Sequence, residues 1–298
     1  MAGGKLGAYV ELLRVHNLVV AALTTLIGYV TVVAGIGHVD ASGGLVYAVA
    51  AVIAVAAGGY VINDYYDVGT DAIAKPWRPI PSGRVSRQEA LALALVLFAA
   101  GALASLPLGA VVAAFVAVNI VSVYLYSAYI KRVGFVGNIV VALNSSATIL
   151  MGALVGCRLE HLECPLLVLV PFVVSFLLVL GREVVKGIED YFGDRAECYM
   201  TLAVRLGPAR AARIALVLLL ATIAVSPLPL LFPQYGLLYA ALAAATDAVI
   251  AKAVVELAVS THSGQVENII AAARRARTLL KISFALGGLA FLLGPLQP

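Results

Sequence analysis

The sequence predicts an all-α membrane protein, with nine transmembrane helices in a single bundle around a central cavity that opens at the cytoplasmic side. Hydrophobic residues make up 62% of the 298 residues, and charged residues make up only 12%, about half the share found in soluble domains. The mean hydropathy is +1.02, and apolar runs long enough to cross a bilayer recur along the chain. Because no soluble stretch separates these runs, we expect one transmembrane domain over residues 1–298.

The nine spans are delimited by polar loops, with ends defined to within a few residues. The first run is too long for the apolar region of a cleavable signal peptide, so we expect it to be a helix of the bundle. In chain order the spans are Tyr9–Gly35, Gly44–Asp64, Gln88–Leu106, Ala110–Ile130, Gly137–Gly156, Pro165–Glu189, Pro208–Leu231, Gly236–Val259 and Ile269–Leu293.

The basic residues fall almost entirely on one side of this arrangement. The loops after the odd-numbered spans contain a single basic residue, Arg158. Such a positive-inside pattern predicts a cytoplasmic N-terminus and an external C-terminus. The net charge of +4 therefore bears on orientation, and we infer neither a nucleic-acid partner nor a protein partner. The basic residues after the even-numbered spans are Lys75, Arg78, Arg84, Arg87, Lys131, Arg132, Arg195, Arg205, Arg210, Arg213, Arg274, Arg275, Arg277 and Lys281.

Two acidic stretches stand where an apolar span meets a polar loop. In the first, Asn63, Asp67 and Asp71 are four residues apart, so a helix stacks them on one face at ~6 Å per step. In the second, Asp190 and Asp194 repeat that spacing. Four spans separate the two stretches, which places both at the cytoplasmic face.

The spacing of these carboxylates indicates a metal site. Five carboxylates that converge without a counter-charge repel and raise each other's pKa. Hard oxygen ligands at this density suit Mg²⁺, which takes a few carboxylates and completes its shell with water and substrate phosphates. The sequence therefore predicts a membrane-embedded Mg²⁺–diphosphate site.

The loop after the first stretch adds cations. Pro76, Pro79 and Pro81 favour extended backbone. We therefore expect Lys75 and Arg78, with Arg84, to lie near the carboxylates and bind phosphate. A helix end followed by a solvated, charged loop is an alternative for this motif taken alone.

Ionisable residues also lie inside the sixth span, just before the second stretch. Arg182, Glu183 and Lys186 are costly there and are expected to face the bundle interior or a watery cavity. An ion pair among them with a purely structural role is the alternative interpretation.

Together the N-D-x-x-D-x-x-x-D stretch, the R-P-I-P-S-G-R loop and the second D-x-x-x-D resemble the UbiA superfamily of intramembrane prenyltransferases, over essentially the whole chain. The segments Arg182–Arg195, Thr201–Val204 and Arg274–Lys281 are most similar to the branch that forms digeranylgeranylglyceryl phosphate for archaeal ether lipids. The resemblance implies nine spans and Mg²⁺-dependent transfer of a prenyl group from its diphosphate. Many relatives carry Asp where this chain has Gly187, so a third carboxylate in the second motif is in question.

The resemblance also assigns roles to residues. It places the metal on Asn63, Asp67, Asp190 and Asp194, and it matches Asp64 and Asp71 to the other acidic positions. For Arg14, snorkelling to the interface is an alternative, for Lys131 topology signalling, and for Asn144 a helix–helix hydrogen bond. We expect the catalytic residues to be Asp67, Asp71, Asp190, Asp194 and Lys131, and the substrate-binding residues to be Arg14, Asn17, Asp64, Lys75, Arg78, Tyr126, Ser127, Asn144, Arg182 and Lys186.

The expected reaction breaks the C–O bond of a prenyl diphosphate, and an acceptor then attacks the allylic cation in a chamber that excludes water. We favour the hydroxyl of geranylgeranylglyceryl phosphate as acceptor; an aromatic acceptor such as 4-hydroxybenzoate is the alternative. A CDP-alcohol phosphatidyltransferase would need a D-G-x-x-A-R segment, which neither motif contains. A cation transporter would place its carboxylates near the bilayer midplane rather than at span ends.

Two further expectations concern residues outside the motifs. Cys157 and Cys164 share one short loop and form a disulfide if that loop faces an oxidising side; free thiols are the favoured alternative. Asp247, Lys252 and Glu256 in the eighth span are expected to pair, since Lys252 and Glu256 are four residues apart. The scattered histidines make a zinc site an unfavoured interpretation.

Overall fold

The structure is a computed structural model that describes residues 4–36, 43–157, 164–197, 199–262 and 264–296. Within these ranges the regular elements are helices and no strand occurs. The α-helices are α1 (Lys5–Leu13), α2 (Val15–Ile36), α3 (Gly44–Tyr66), α4 (Val68–Ala74), α5 (Arg87–Ser105), α6 (Ala110–Ala128), α7 (Phe135–Gly156), α8 (Cys164–Glu189), α9 (Tyr191–Ala196), α10 (Leu202–Leu206), α11 (Pro208–Val225), α12 (Leu237–His262) and α13 (Val266–Leu293).

Each of the nine predicted spans corresponds to a long helix in the described part of the chain. Eight of these segments are long and apolar enough to cross a membrane. The ninth, α12, has 26 residues but is not among the eight by composition. The structure therefore supports eight spans, and the crossing by α12 stays a prediction.

The first predicted span is divided in two by Arg14. This residue has a φ of 51°, in the left-handed region that side chains other than glycine seldom adopt. α1 ends before it and α2 begins directly after it. Hydropathy does not reveal this break, because both helices are apolar.

Close pairing of helices builds the bundle. α2 packs against α7, α3 against α5 and α12 against α13, and α8 contacts α2, α7, α11 and α13. Glycines permit the closest approach: a Cβ at Gly152 would lie 1.8 Å from the Thr25 carbonyl oxygen, and one at Gly28 would lie 1.9 Å from that of Ile149. Because α2 contacts both α3 and α8, the ends of α3 and α8 can meet at one end of the bundle.

The outer surface is apolar over much of its area. Large hydrophobic side chains such as Leu103, Val118 and Val217 are 65–67% exposed on different helices. A surface of this kind is stable against lipid tails and costly in water. With its apolar helices, the protein is an integral multi-pass membrane protein.

Two expectations outside the motifs are corrected. Cys157 is disulfide-bonded, which contradicts the favoured interpretation of free thiols; the side chain of Cys164 lies outside the described residues, so that pairing stays a prediction. The pairing within α12 was wrong, because Glu256 accepts a hydrogen bond from Arg275 at 2.9 Å and Asp247 accepts one from Ser226 at 2.5 Å. Long-range neighbours on other helices took the place of the local partner.

Candidate active site

The first acidic motif continues the helical hydrogen bonding from α3 into α4. The Asp67 N–H donates to the Asn63 carbonyl at 3.0 Å, and the Asp71 N–H donates to the Asp67 carbonyl at 2.8 Å. The predicted stacking of Asn63, Asp67 and Asp71 is confirmed. Asp64, one residue after Asn63, lies on a different face of the same helix end and is buried.

Cations from three separate segments neutralise the carboxylates of this motif. Arg14 donates to Asp64 at 2.5 Å. Arg78 contacts the same oxygen at 3.3 Å and donates to Asp71 at 2.6 Å. Lys131 donates to Asp67, which also accepts from the Asn63 amide at 2.8 Å. The mutual repulsion expected for these carboxylates is therefore relieved by counter-charges.

The Asp64 and Asp71 side chains in this network are only 7% and 8% exposed. Burial on this scale is tolerated because each charge has a hydrogen-bonded partner. The proline-rich loop contributes Arg78 to this network. Its backbone turns back toward the helix, and the Arg78 N–H donates to the Lys75 carbonyl at 3.0 Å. The expectation that this loop brings a cation to the carboxylates is confirmed for Arg78.

The second acidic motif has the same backbone geometry. The Asp190 N–H donates to the Lys186 carbonyl at 2.9 Å, and the Asp194 N–H donates to the Asp190 carbonyl at 2.8 Å. Asp190 and Asp194 are thus stacked one helical turn apart, as their spacing predicts. Asp190 is exposed and Asp194 is partly buried.

The charges of the second motif differ from those of the first. Within the described ranges, neither Asp190 nor Asp194 takes part in an ion pair. Burial, together with the charge of Asp190, raises the pKa of Asp194 to about 6, although a hydrogen bond with Thr201 and the charge of Lys186 act against this rise. A cation placed between the two carboxylates would remove this repulsion. Oxygen donors in this electrostatic state fit Mg²⁺.

Glutamates next to these aspartates carry the local ion pairs. Glu183 pairs with Arg182 at 2.8 Å and with Lys186 at 3.8 Å, so ion pairs do form within the sixth span, while the role of these residues stays a prediction. Glu189 pairs with Arg277 of α13 at 2.8 Å and more loosely with Arg274 at 3.6 Å. The end of α8 is therefore anchored to α13 directly before Asp190.

The two motifs meet at one end of the bundle through Tyr199. Its N–H donates to the Asp194 carbonyl at 2.8 Å, and its phenol forms a hydrogen bond with Thr70. Thr70 in turn donates to the Asp67 carbonyl at 2.9 Å. Burial raises the pKa of the Tyr199 phenol, and the charge of Asp67 adds to the rise. An arrangement with the motifs at opposite ends is thereby excluded.

Several other predicted residues have partners within the fold. Asn17 forms a hydrogen bond with Tyr60, and Asn144 accepts one from Ser122 at 2.8 Å between α7 and α6. Ser127 donates to the carbonyl of Val123 in its own helix at 3.0 Å. The bond of Asn144 agrees with the helix–helix alternative, and substrate contact by these three residues stays a prediction.

Lys75 and Tyr126 flank the motifs without a decisive contact. Lys75 is exposed, whereas Tyr126 lies at the end of α6, before the turn that carries Lys131. At Gly187 a Cβ would lie 3.7 Å from the Thr201 Cβ, which is ordinary van der Waals contact.

Sequence reasoning missed Tyr199, Thr201 and the anchor formed by Arg277. Thr201 precedes α10 and accepts from the Val204 N–H at 3.4 Å, which is the pattern of a helix N-cap. That pattern is readable from sequence, but its contact with Asp194 is not. The partner of Arg277 lies 88 residues away, beyond any local periodicity.

No group of three or more His, Cys, Asp or Glu side chains among the described residues is close enough to hold a metal by itself. The candidate ligands are two stacked pairs at one end of the bundle: Asn63 with Asp67, and Asp190 with Asp194. A ligand with its own oxygen atoms would have to lie between them for one metal centre to use both pairs.

Known proteins resemble this chain in sequence and in fold. Residues 21–268 match the UbiA prenyltransferase family. The digeranylgeranylglyceryl phosphate synthase of Hyperthermus butylicus is 48% identical over 96% of this chain and 95% of that protein. A solved structure described as digeranylgeranylglyceryl phosphate synthase in membranes is 29% identical, covers 98% of both chains and has a TM-score of 0.78. The fold is also that of an Archaeoglobus fulgidus UbiA homologue solved with DMAPP and Mg²⁺, which is 18% identical, with a TM-score of 0.67 over 95% of this chain and 98% of that one.

Proposed function

The chain belongs to the UbiA prenyltransferase family, and from this membership we propose that it transfers a geranylgeranyl group from its diphosphate to the hydroxyl of geranylgeranylglyceryl phosphate. The observation that supports this most directly is the meeting of two acidic motifs at one end of the bundle, joined through Tyr199 and Thr70. The relatives named for this reaction cover nearly the whole chain. The proposed domain accordingly extends over residues 1–298.

The proposed metal ligands are Asn63, Asp67, Asp190 and Asp194, with phosphate oxygens of the donor between the two pairs. When bound, Mg²⁺ supplies positive charge that stabilises the negative charge developing on the departing diphosphate. Asp190 and Asp194 are ready to bind a cation, because neither forms an ion pair among the residues described. Asp67 becomes available once Lys131 leaves it.

Lys131 has two successive partners in this proposal. In the structure its ammonium group holds Asp67. When the donor diphosphate binds, the ammonium group transfers from the carboxylate to a phosphate oxygen, because the diphosphate carries more negative charge than one carboxylate and also accepts charge-assisted hydrogen bonds. The same movement frees Asp67 for the cation. Lys131 thus couples donor binding to assembly of the site.

The remaining predicted residues act on orientation. Arg14 and Arg78 hold Asp64 and Asp71 in the buried network, so these four residues keep the first motif rigid while it contacts the donor. Lys75, Arg182 and Lys186 provide cations at the rim. The donor C–O bond then breaks with its electron pair on diphosphate, the acceptor hydroxyl attacks the allylic carbon, and its proton passes to the released diphosphate.

The proposed orientation places the active site and the N-terminus in the cytoplasm and the C-terminus outside. The basic loops of the even-numbered spans support it, and it requires that α12 also crosses the membrane. Reporter fusions at the two termini test the orientation. Opposite locations are expected for nine spans, and the same location at both termini would mean that α12 does not cross.

One experiment tests the reaction itself. Purified protein is incubated with Mg²⁺, geranylgeranyl diphosphate and either geranylgeranylglyceryl phosphate or 4-hydroxybenzoate, and the product mass is measured. We expect a doubly prenylated glyceryl phosphate, with product formation lost on addition of EDTA. Prenylation of 4-hydroxybenzoate alone would show that the acceptor is aromatic and not the glyceryl lipid. No product with either acceptor would contradict the proposal.

A further inference from the structure

Glu183 on α8 has two cationic neighbours. Arg182 donates to its Oε1 at 2.8 Å, whereas the Lys186 ammonium group comes only within 3.8 Å of its Oε2. The second distance is too long for a hydrogen bond, and the Lys186 side chain is 46% exposed. Among the residues that the structure describes, this trio therefore has one positive charge in excess and an ammonium group with hydrogen bonds still to donate.

The two cations lie on the same face of α8 as the second acidic motif. Arg182, Lys186 and Asp190 follow one another at four-residue intervals, so the helix stacks them at ~6 Å per step along its axis. Val184 and Ile188, on the opposite side of α8, are buried in a core shared with α11, α12 and α13. The column of cations and carboxylate therefore faces away from that core.

This face of α8 looks toward the first acidic motif. The phenol of Tyr126, at the end of α6, lies within electrostatic range of both Glu183 and Asp67. The ammonium group of Lys186 is likewise within electrostatic range of Asp194. The excess positive charge therefore lies beside the candidate metal ligands.

The ion pairs of Glu183 contribute little to the fold. Its two partners lie within three residues of it on the same helix, and local pairs of this kind stabilise a helix only slightly. Glu189 differs, because both of its partners, Arg277 at 2.8 Å and Arg274 at 3.6 Å, come from α13 and tie two helices together. The cations beside Glu183 are thus the ones that a ligand can engage without loosening the bundle.

A phosphate monoester matches the excess charge of this trio. It carries about two negative charges at neutral pH and accepts charge-assisted hydrogen bonds from guanidinium and ammonium groups. The guanidinium group of Arg182 has five N–H donors, so its bond to Glu183 leaves others for a ligand. The ammonium group of Lys186 can turn to the same phosphate.

The acceptor of the proposed reaction contains such a phosphate. Its reactive hydroxyl and its phosphate are on the same three-carbon glycerol unit, so the two groups must bind close together. A phosphate held at Lys186, one helical turn from Asp190, leaves the hydroxyl close to a donor held at the acidic motifs. The spacing along α8 therefore suits an acceptor phosphate next to a donor diphosphate.

We propose that Lys186 and Arg182 bind the phosphate of the acceptor, as distinct from the diphosphate of the donor. The inference rests on the proposed function, because it takes the acceptor to be a glyceryl phosphate. The two residues position the acceptor hydroxyl without taking part in the bonds that break and form. They also select phosphorylated acceptors, because an acceptor without the phosphate leaves the excess charge unmatched.

Lys186→Met tests the proposal with two acceptors, geranylgeranylglyceryl phosphate and the same lipid without its phosphate. With Mg²⁺ and saturating geranylgeranyl diphosphate, kcat/KM is measured for each acceptor, and the KM of the donor is measured separately. We expect kcat/KM for the phosphorylated acceptor to fall roughly 10- to 100-fold, because a charge-assisted hydrogen bond is lost. The dephosphorylated acceptor and the KM of the donor should change by less than about 2-fold.

Two variants serve as controls. Lys186→Arg keeps the positive charge and should keep kcat/KM for the phosphorylated acceptor within about 3-fold of the wild type. Lys252→Met makes the same change of side chain on the exposed face of α12 and should leave all three constants unchanged. If Lys186→Met does not fold, Arg182→Gln carries the same expectation.

An equal loss with both acceptors would show a structural role for Lys186, and an equal rise in the KM of the donor would assign its charge to the diphosphate. Either result would overturn the inference. Where the dephosphorylated acceptor reacts too slowly to measure, the KM of the donor decides between the two substrates. A wild-type protein that transfers no prenyl group to the glyceryl lipid would instead contradict the proposed function.

Discussion

The two acidic motifs have the same spacing and opposite electrostatic states. In the first, Asp64, Asp67 and Asp71 all have cationic partners, and two of these carboxylates are buried. In the second, Asp190 and Asp194 have no ion pair among the described residues, and burial, together with the charge of Asp190, raises the pKa of Asp194. The comparison teaches that the same four-residue spacing can give buried, ion-paired carboxylates in one motif and carboxylates without an ion pair in the other.

Removal of a carboxylate from the second motif, Asp190 or Asp194, should have the largest effect on activity. Asp190→Asn keeps the shape but loses the charge, so we expect prenyl transfer to fall roughly 100- to 1,000-fold, with thermal stability in detergent unchanged. Glu197→Gln is the control, since it neutralises an exposed acid in the same segment. Near wild-type turnover of Asp190→Asn would contradict a metal role for the second motif.

Removal of an ion-paired carboxylate from the first motif should mainly lower stability. Asp71→Asn leaves Arg78 partly buried with a weakened partner, which we expect to cost about 3 kcal/mol. The measurement is the thermal melting of the purified protein beside that of Asp190→Asn. Equal melting temperatures for the two variants would mean that the buried ion pairs do not distinguish the motifs.

Lys131→Met tests whether Lys131 leaves Asp67 when the donor binds. Without the ammonium group, Asp67 is no longer neutralised, so Mg²⁺ should bind more tightly in the absence of donor. The donor should bind about 10-fold more weakly, because one charged hydrogen bond of about 1.5 kcal/mol is lost. Titrations of each ligand measure the two changes. Weaker binding of both would show that Lys131 does not exchange partners.

Loss of the anchor before the second motif should have a moderate effect. Arg277→Met releases Glu189 from α13, and we expect kcat to fall about 5-fold. The activation free energy would then rise by less than the ~1.4 kcal/mol that corresponds to a tenfold change in rate. Arg277→Lys should restore part of the rate. The control is Arg275→Met, which removes an arginine two residues away that pairs with Glu256 instead. A loss equal to that of Arg277→Met would indicate a general effect of charge.

The smallest effect is expected at the bridge between the motifs. Tyr199→Phe removes the phenol that bonds Thr70 and leaves the backbone bond to Asp194 in place. One neutral hydrogen bond contributes about 1 kcal/mol, so we expect a two- to fivefold loss of kcat/KM. A complete loss of transfer would make the phenol a participant in the reaction rather than a bridge.

Local pattern accounts for the part of the fold that could be predicted. The nine apolar runs predicted the long helices, because burial in lipid requires length and hydropathy that any window of the sequence displays. The four-residue spacing predicted the stacking of Asp67 on Asp71 and of Asp190 on Asp194, because helical geometry repeats within one turn. The break at Arg14 was missed, since its left-handed backbone leaves no trace in hydropathy.

The amino-acid sequence alone determined the membrane class, the long helices and the residue types of the site. Only the tertiary structure decided which carboxylates have cationic partners, because Arg14 and Asp64 are 50 residues apart, and Lys131 and Asp67 are 64 residues apart. The same holds for Asp247, whose partner Ser226 lies on a neighbouring segment of chain. Hydropathy and periodicity act within a helix, whereas the electrostatic state of a buried group depends on the helices that pack around it.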